Sequence, residues 1–565
     1  MFRLKYFTLI FLISISGCKK TPVIQVESKT SIAENNIDRY INELIANQQV
    51  PGISIAVTSK DSIIYSKSYG FSDLKLKEKV NDQTLFQIGS ITKSFTAISL
   101  MQLYDQGKFD PQRPVSDYLD WFNVSNKGEK ITGHHLLTHQ AGIQEGLDDF
   151  YGSPYMAYKA GQLKSYGKLG EYFHYSNIGY TVLHLLVEHL SGLSYQEYVT
   201  KNILQPLEMT HTQAEITLES RDEQAIGYTY PFDNKPHHPS RKLVEAELFE
   251  YRMGDGSILS TPNDMVNYMQ MILGNGTRKG KKIISKKAFD LFTGNNERWY
   301  QYGIGRSKHD SVYILEHDGG MAGFSSSMVV DMANGIGVYV STNTPIAPLG
   351  KIGNYILNNF SNLKHDKALP EFPSHTRKKN NTSIDYTGIY QTTSGKQVEI
   401  KINKDEVELI DKDKSVKLEH VRKNIYQSVL QGTDQYYWVF KSEDKTHPSK
   451  LIYGDKVYYS INYKGKKQYV FPKQWLAYTG VYRSYSPWIP YLEIIIREGQ
   501  LIAITGFGGE TVFREIDLYP IDDSSTFKIE SPDSPSRLIF GKPIHGHSLI
   551  TNWSSHKFYW TDNGK

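Results

Sequence analysis

Phe86-Gln87-Ile88-Gly89-Ser90-Ile91-Thr92-Lys93 is the stretch of this 565-residue chain on which the reading of the fold turns. Ile91, Phe95, Ile98 and Met101 recur at spacings of three and four residues, which predicts a helix with one buried face starting here. Ser90 and Lys93 stand at i and i+3, side by side on that helix. Desolvation and neighbouring donors can depress a lysine pKa until its amine takes a proton from a serine hydroxyl. A helix N-terminus adds backbone N–H groups and the positive end of the helix dipole beside such a nucleophile. The tetrad alone decides little, because Ser72…Lys75, Ser165…Lys168, Ser442…Lys445 and Ser525…Lys528 match it equally well. Its place at the head of an apolar-periodic run sets Ser90 apart.

Working outward, Ile53, Ile55 and Val57 alternate with small residues, and Ile63-Ile64-Tyr65 follow a Lys-Asp turn: an early β-hairpin. Tyr175-Ser176-Asn177 puts a phenol and an amide on a short turn before a second apolar helix, Ile178 to Leu190. A phenolate among cations can relay a proton, and an asparagine can hold a lysine and a substrate carbonyl. Tyr40-Ile41-Asn42 repeats the triplet, so Tyr175 taken alone could equally be a packing residue. His317-Asp318-Gly319-Gly320 lies between Val312–Leu315 and the strand-like Ser325–Val330. Glycines beside a strand let a substrate approach the backbone and leave an N–H free for an oxyanion.

In this order, Ser-x-x-Lys, Tyr-x-Asn and His-x-Gly resemble the penicillin-recognising serine hydrolases: class C β-lactamases, DD-peptidases, D-aminopeptidases and related esterases. The resemblance runs from about residue 37 to 360. Pro51–Ser54, Leu136–Gly142, Leu204–Met209, Ser260–Met265 and Tyr302–Gly305 look like landmarks of the family in family order. It implies an α/β (α+β) β-lactamase-like, transpeptidase-like catalytic domain with an antiparallel sheet flanked by helices. It implies Ser90 as acylated nucleophile, with Lys93 and Tyr175 sharing the proton transfer. Asn177 would orient Lys93 and the substrate amide, and the N–H groups of Ser90 and Gly320 would form the oxyanion hole. Asn177, His317 and Gly319 would contact the substrate, and neither cofactor nor metal is called for. His317 stands where β-lactamases and DD-peptidases carry a lysine. A histidine is mostly neutral at pH 7, so the expected substrates shift from carboxylate-bearing β-lactams toward D-amino-acid peptides, amides or simple esters. β-Lactam hydrolysis is the alternative reading.

Other signals are weaker. His135 and His139 stand at i and i+4, but no HExxH glutamate lies between them. Gly274 to Lys282 has the wrong glycine spacing for a P-loop and reads as a surface turn. No GxSxG elbow occurs, against an α/β-hydrolase.

Beyond a Pro- and charge-rich linker (365–382) the pattern becomes one of alternating strands. Val398, Ile400 and Ile402 lead through Lys404-Asp405-Glu406 into Val407 and Leu409, a hairpin with one wet face. Asp385-Tyr-Thr-Gly-Ile-Tyr390 returns 92 residues later as Ala477-Tyr-Thr-Gly-Val-Tyr482, followed by a second hairpin, Leu492–Arg497 with Leu501–Ile504. Two antiparallel β-barrel (lipocalin-like) units are expected, at 383–472 and 473–565.

At about 150 residues per domain the length allows three or four units; the motifs assign one large catalytic domain (36–364) and two small ones. A formal charge of +4 gives no attractive field for nucleic acid. One cysteine excludes an internal disulfide, a CxxC motif and a Cys-cluster zinc site. That cysteine, Cys18, follows a basic start and a short apolar run, and Ile15-Ser16-Gly17-Cys18 resembles a lipobox. Residues 1–17 then read as a lipoprotein signal peptide and 18–35 as a tether, with the chain held at the cell-envelope membrane through lipidated Cys18. Losing Arg3 and Lys5 with the leader takes the charge from +4 to +2. The expected partner is a small-molecule or peptide substrate. The rival is a non-catalytic envelope binding protein using the hydrolase fold as a platform.

Overall fold

The computed structural model describes residues 28–562, apart from 144–153, 161–164, 374–384, 443–447, 507–512 and shorter stretches. The leader, Cys18, tether residues 18–27, linker residues 374–382 and the Lys404-Asp405 turn lie outside the described residues.

The chain is already helical at Lys29, inside the expected tether. Ser28 caps α1 (Lys29–Ala46), its side chain accepting the Ser31 N–H at 3.1 Å. Ala33, Ile37, Ile41 and Leu44 then supply a buried stripe at helical spacing. The exposed side of the first turns is polar, which hid the helix from a reading by composition.

Seven strands form one antiparallel sheet: β1 (Gly52–Ser59), β2 (Ile63–Asp73), β3 (Glu78–Lys79), β4 (Gly305–His309), β5 (Val312–Met321), β6 (Phe324–Asp331) and β7 (Ile336–Thr342). Their order is β4-β5-β6-β7-β1-β2-β3, so the early hairpin joins the late strands at β1–β7, with Ile53 opposite Thr342. Side chains alternate across this sheet. Ile53, Ile55, Val57, Val338 and Val340 pack with α1 and with α5 (Leu349–Lys364). Ala56, Met328, Val330 and Tyr339 join the other core, with α2 (Thr92–Asp105), α3 (Asn177–Ser191) and α4 (Pro262–Leu273).

Helix α2 corrects the sequence reading. It is buried on nearly every side from Thr92 to Met101, not along one face. Its hydroxyls are satisfied: Ser94 donates to the Ile91 carbonyl at 2.7 Å, Ser99 to that of Phe95 at 2.9 Å, and Thr96 pairs with the Tyr195 hydroxyl at 2.6 Å. Residues that count as polar in a periodicity therefore sit in the core at little cost.

The two C-terminal units are closed, eight-stranded antiparallel barrels. They run from Gly388–Gln391 to Lys456–Ser460 and from Gly480–Arg483 to His556–Thr561. Each interior holds its own cluster of buried side chains, as eight strands allow. The 92-residue repeat is a packing unit. Tyr390 donates to the Tyr386 carbonyl at 2.9 Å, and Tyr482 does the same to Tyr478 at 2.9 Å. Tyr386 stacks on Phe440 and Tyr478 on Phe540, both with ring centroids 4.3 Å apart.

Candidate active site

Ser90 lies in a single 3-10 turn, Gly89–Ile91, that feeds directly into α2. Lys93, one residue into α2, is fully buried. Its Nζ is 3.0 Å from Ser90 Oγ and donates to the Asp255 carbonyl at 2.7 Å. The segment carrying Asp255 is fastened from two sides. Thr96 of α2 donates to the Gly254 carbonyl at 2.5 Å, and the Gly254 N–H donates to His184 Nδ1 of α3 at 3.1 Å. Nor could Gly254 carry a side chain, since a Cβ there would fall 2.7 Å from Thr96 Oγ1. Burial pushes the Asp255 carboxyl pKa up, against the pull of Lys93 and of the Tyr251 hydroxyl, which donates to both oxygens at 2.9 and 2.8 Å.

The His317–Gly320 motif is part of β5 itself, ahead of the turn into β6. Here the strand presses against the nucleophile's approach. A Cβ on Gly319 would meet the Ile88 carbonyl oxygen at 1.9 Å, and one on Gly89 (φ +52°) would meet the Gly320 nitrogen at 2.6 Å. Ser326 of β6 donates to the same Ile88 carbonyl at 2.8 Å. Gly320 differs, because a Cβ there would find open space within 4 Å. The glycines thus bring the Ser90 turn and the Gly320 backbone together, with room on the outer side of Gly320.

Tyr175 precedes α3, whose cap is Ser176, with its side chain accepting the Gly179 N–H at 3.1 Å. Lys93 Nζ sits 4.9 Å from the centre of the Tyr175 ring. Asn177 is the first residue of α3 and is half-buried. The turn is held by His139, which adopts a left-handed φ of 55°. Its Nδ1 accepts the Ser176 N–H at 3.0 Å, its carbonyl accepts the His174 N–H at 2.7 Å, and its ring lies 4.3 Å from that of Tyr175. Burial and the nearby Lys93 keep the His139 imidazole well below its ordinary pKa. The landmark segment Leu136–Gly142 is therefore a support for Tyr175. His134 and His135 are engaged elsewhere, with the Tyr302 hydroxyl at 2.9 Å and in a capping box with Thr132.

His317 is 8% exposed. Its Nε2 is 2.9 Å from the Tyr300 hydroxyl and its Nδ1 2.6 Å from the Asp318 carbonyl. Burial, then the Lys93 charge, push its pKa down to about 4. The second barrel reaches this region too, with Ser536 Oγ 3.4 Å from His174 Nδ1, one residue before Tyr175.

Residues 37–357, more than half of the chain, match the family model described as Beta-lactamase. The chain belongs to the beta-lactamase family. Among curated relatives, protein flp of Staphylococcus aureus (strain N315) is 25% identical over 334 residues, covering 56% of this chain and 64% of that protein. Penicillin-binding protein 4* of Bacillus subtilis (strain 168) is 26% identical over 302 residues, 50% of this chain and 65% of its own. The match thus spans just under two thirds of these relatives. Among solved structures, the octameric penicillin-binding protein homologue from Pyrococcus abyssi aligns with a TM-score of 0.55 at 25% identity, covering 75% of this chain and 99% of that one. A D-amino acid amidase from Ochrobactrum anthropi SV3 shares the fold, with a TM-score of 0.50 at 20% identity over 59% of this chain and 99% of its own.

In this beta-lactamase-family chain the structure brings Ser90, Lys93 and Tyr175 together, and lays Gly319 and Gly320 against the Ser90 turn. His317 meets the group through Tyr300, whose ring centroid is 6.4 Å from that of Tyr175. Tyr300, His139 and Asp255 are the contributors that the motifs did not single out. His139 fell inside a recognised landmark. Asp255 serves through a backbone carbonyl, which any residue type supplies, and Tyr300 is one tyrosine among 40.

Proposed function

We propose that this chain hydrolyses amide or ester bonds through a covalent ester on Ser90, acting on D-amino-acid peptides or amides, in the manner of an aminopeptidase or carboxypeptidase, or on simple esters. The observation that carries this reading is a fully buried lysine amine 3.0 Å from the Ser90 hydroxyl. By handing its extra proton to a Tyr175 phenolate, Lys93 can keep one N–H on the Asp255 carbonyl and turn its lone pair to the Ser90 proton. Oγ then bonds to the substrate carbonyl carbon, and the proton passes by Lys93 and Tyr175 to the departing nitrogen or oxygen as that bond breaks. Water attacks the acyl–Ser90 ester by the reverse proton route and releases the acid. Lys93 Nζ lies 4.9 Å from the centre of the Tyr175 ring, so the role of base is assigned to the pair. The N–H groups of Ser90 and Gly320 are the donors for the oxyanion. A neutral His317 supplies no fixed positive charge for a substrate carboxylate, which favours these substrates over β-lactams.

The test is fluorophosphonate labelling of the purified chain beside a folded Ser90→Ala control. Turnover of D-Ala dipeptides, D-aminoacyl amides, p-nitrophenyl esters and a chromogenic cephalosporin is measured alongside. Labelling of wild type only, with amides or esters turned over faster than the cephalosporin, is expected. A folded wild type that takes no label sinks the enzyme reading and leaves an envelope binding protein. We further place the chain at the membrane by acylation of Cys18; metabolic palmitate labelling lost in Cys18→Ala checks this.

A further inference from the structure

We infer that Tyr300 is a positioning residue of the acyl-transfer site: it fixes His317 in the Nδ1–H tautomer with both ring nitrogens engaged, and so selects substrates without a carboxylate beside the scissile bond. The inference rests on the proposed hydrolase reading and names the residue that gives it its substrate class.

The tautomer follows from two contacts. His317 Nδ1 is 2.6 Å from the Asp318 carbonyl oxygen, a separation at which two bare lone pairs would repel, so Nδ1 carries a proton. Nε2, 2.9 Å from the Tyr300 hydroxyl, is then an acceptor in the neutral ring, and Tyr300 must donate to it. Tyr300 can do so at any physiological pH, because burial holds its phenol well above the ordinary range. Tyr180 also adjoins Tyr300, but gives its own proton to the Leu137 carbonyl at 2.7 Å. Of the two acceptors facing the Tyr300 proton, the imidazole nitrogen is the stronger base.

The surroundings make a second charge costly. The titratable or charged groups facing His317 are Lys93 from α2, Tyr300, and behind it Tyr180, His139 and Tyr175. Among the described residues no carboxylate acts on the His317 ring; Asp318 Oδ2 turns toward Gly350 of α5. Donation from Tyr300 stabilises the neutral form, and the same bond covers the nitrogen that could have faced a substrate anion. A merely structural tyrosine would fill volume here without setting the protonation of His317.

Two measurements test this. First, histidine-selective 15N spectra of the ligand-free full chain, with His317→Asn to assign the signal, are followed from pH 4 to 8. The expected wild-type signal is an Nδ1–H neutral ring throughout the upper part of this range. In Tyr300→Phe its titration should move upward. A wild-type Nε2–H ring, or a titration unmoved in Tyr300→Phe, overturns the inference, and this readout does not depend on turnover. Second, kcat/KM is measured for a D-Ala-D-Ala-type peptide with a free carboxylate and for its amide. Tyr300→Phe should raise the carboxylate-to-amide ratio by about five- to tenfold at pH 5.5, the scale of one hydrogen bond, with little change at pH 8. The ratio cancels any general loss of active protein. The pH-dependent gain should vanish in Tyr300→Phe/His317→Asn; its persistence there, or an unchanged ratio in Tyr300→Phe, counts against the assignment.

Discussion

At the residue scale, the two glycines of the third motif make opposite demands. Gly319→Ala drives a methyl into the Ile88 carbonyl, which would sit 1.9 Å away, so either β5 or the turn carrying Ser90 must move. Backbone cannot yield as a side-chain tip can, and overpacking of this kind costs about 1–3 kcal/mol. Gly320→Ala places its methyl in open space and stores no such strain. Gly319→Ala is therefore expected to lower the thermal midpoint and slow fluorophosphonate labelling together. Gly320→Ala should leave the midpoint near wild type, and an equal loss of stability in both would contradict the close approach. The buried histidines give a second expectation. His317 has a pKa of about 4 in the fold, below the ordinary 6.5, so the unfolded chain binds more protons between these values. The contribution from His317 is then fully present above pH 6.5 and is lost as pH falls toward 4, by about 3 kcal/mol. His139, and His134 at about 4, act in the same direction. Denaturant midpoints at pH 7 and 4.5 should fall less steeply in His317→Asn than in wild type. Parallel slopes would mean that the imidazole is not held neutral by the fold.

At the scale of elements, legibility followed what each signal is made of. β1 and β2 were readable because an alternation of Ile and Val with small residues is the strand period itself. The two-barrel repeat was readable because Tyr390 and Tyr482 must each bond back to a tyrosine four residues earlier, which fixes both tyrosines and the spacing. Helix α2 was legible in place but not in environment. Its serines and threonines bond to helix carbonyls or to neighbours such as Tyr195, so polarity did not mark a wet face. The start of α1 was missed for the complementary reason: a capped amphipathic helix with polar outer turns looks like a tether in composition. Of the site, the Ser90–Lys93 pair was readable because both members lie on one helix turn. The roles of Tyr300 and Asp255 depend on strands and loops more than 150 residues away from Lys93, and no local pattern encodes that proximity.

At the scale of the molecule, one arm of the catalytic domain ties the three units together. Asp233 pairs with Arg483 of the second barrel at 2.5 Å, and a Cβ on Gly506 of that barrel would lie 2.5 Å from the Asp233 carbonyl. The next residue, Asn234, accepts from Gln435 of the first barrel at 2.6 Å, and His238 meets Glu419 at 3.0 Å. At the centre, Asp434 of the first barrel receives Lys235 at 3.0 Å and Arg241 at 2.8 Å, its side chain only 7% exposed. An acid this enclosed is held by its two cations, and they in turn by it. Removing one partner of a buried ion pair typically costs about 3–5 kcal/mol, because charge is left in a poor solvent without a counterpart. Asp434→Ala strands two cations, while Lys235→Ala leaves Asp434 with Arg241. We therefore expect Asp434→Ala to loosen the first barrel from the catalytic domain far more than Lys235→Ala does. Limited proteolysis of the arm near residues 233–241, followed by mass spectrometry, reads this directly, with circular dichroism confirming that the barrel strands persist. Faster cleavage in Asp434→Ala with Lys235→Ala near wild type is the expected order. Equal protection in both variants would show that the arm is held by its other contacts, and that the buried triad adds nothing to the docking.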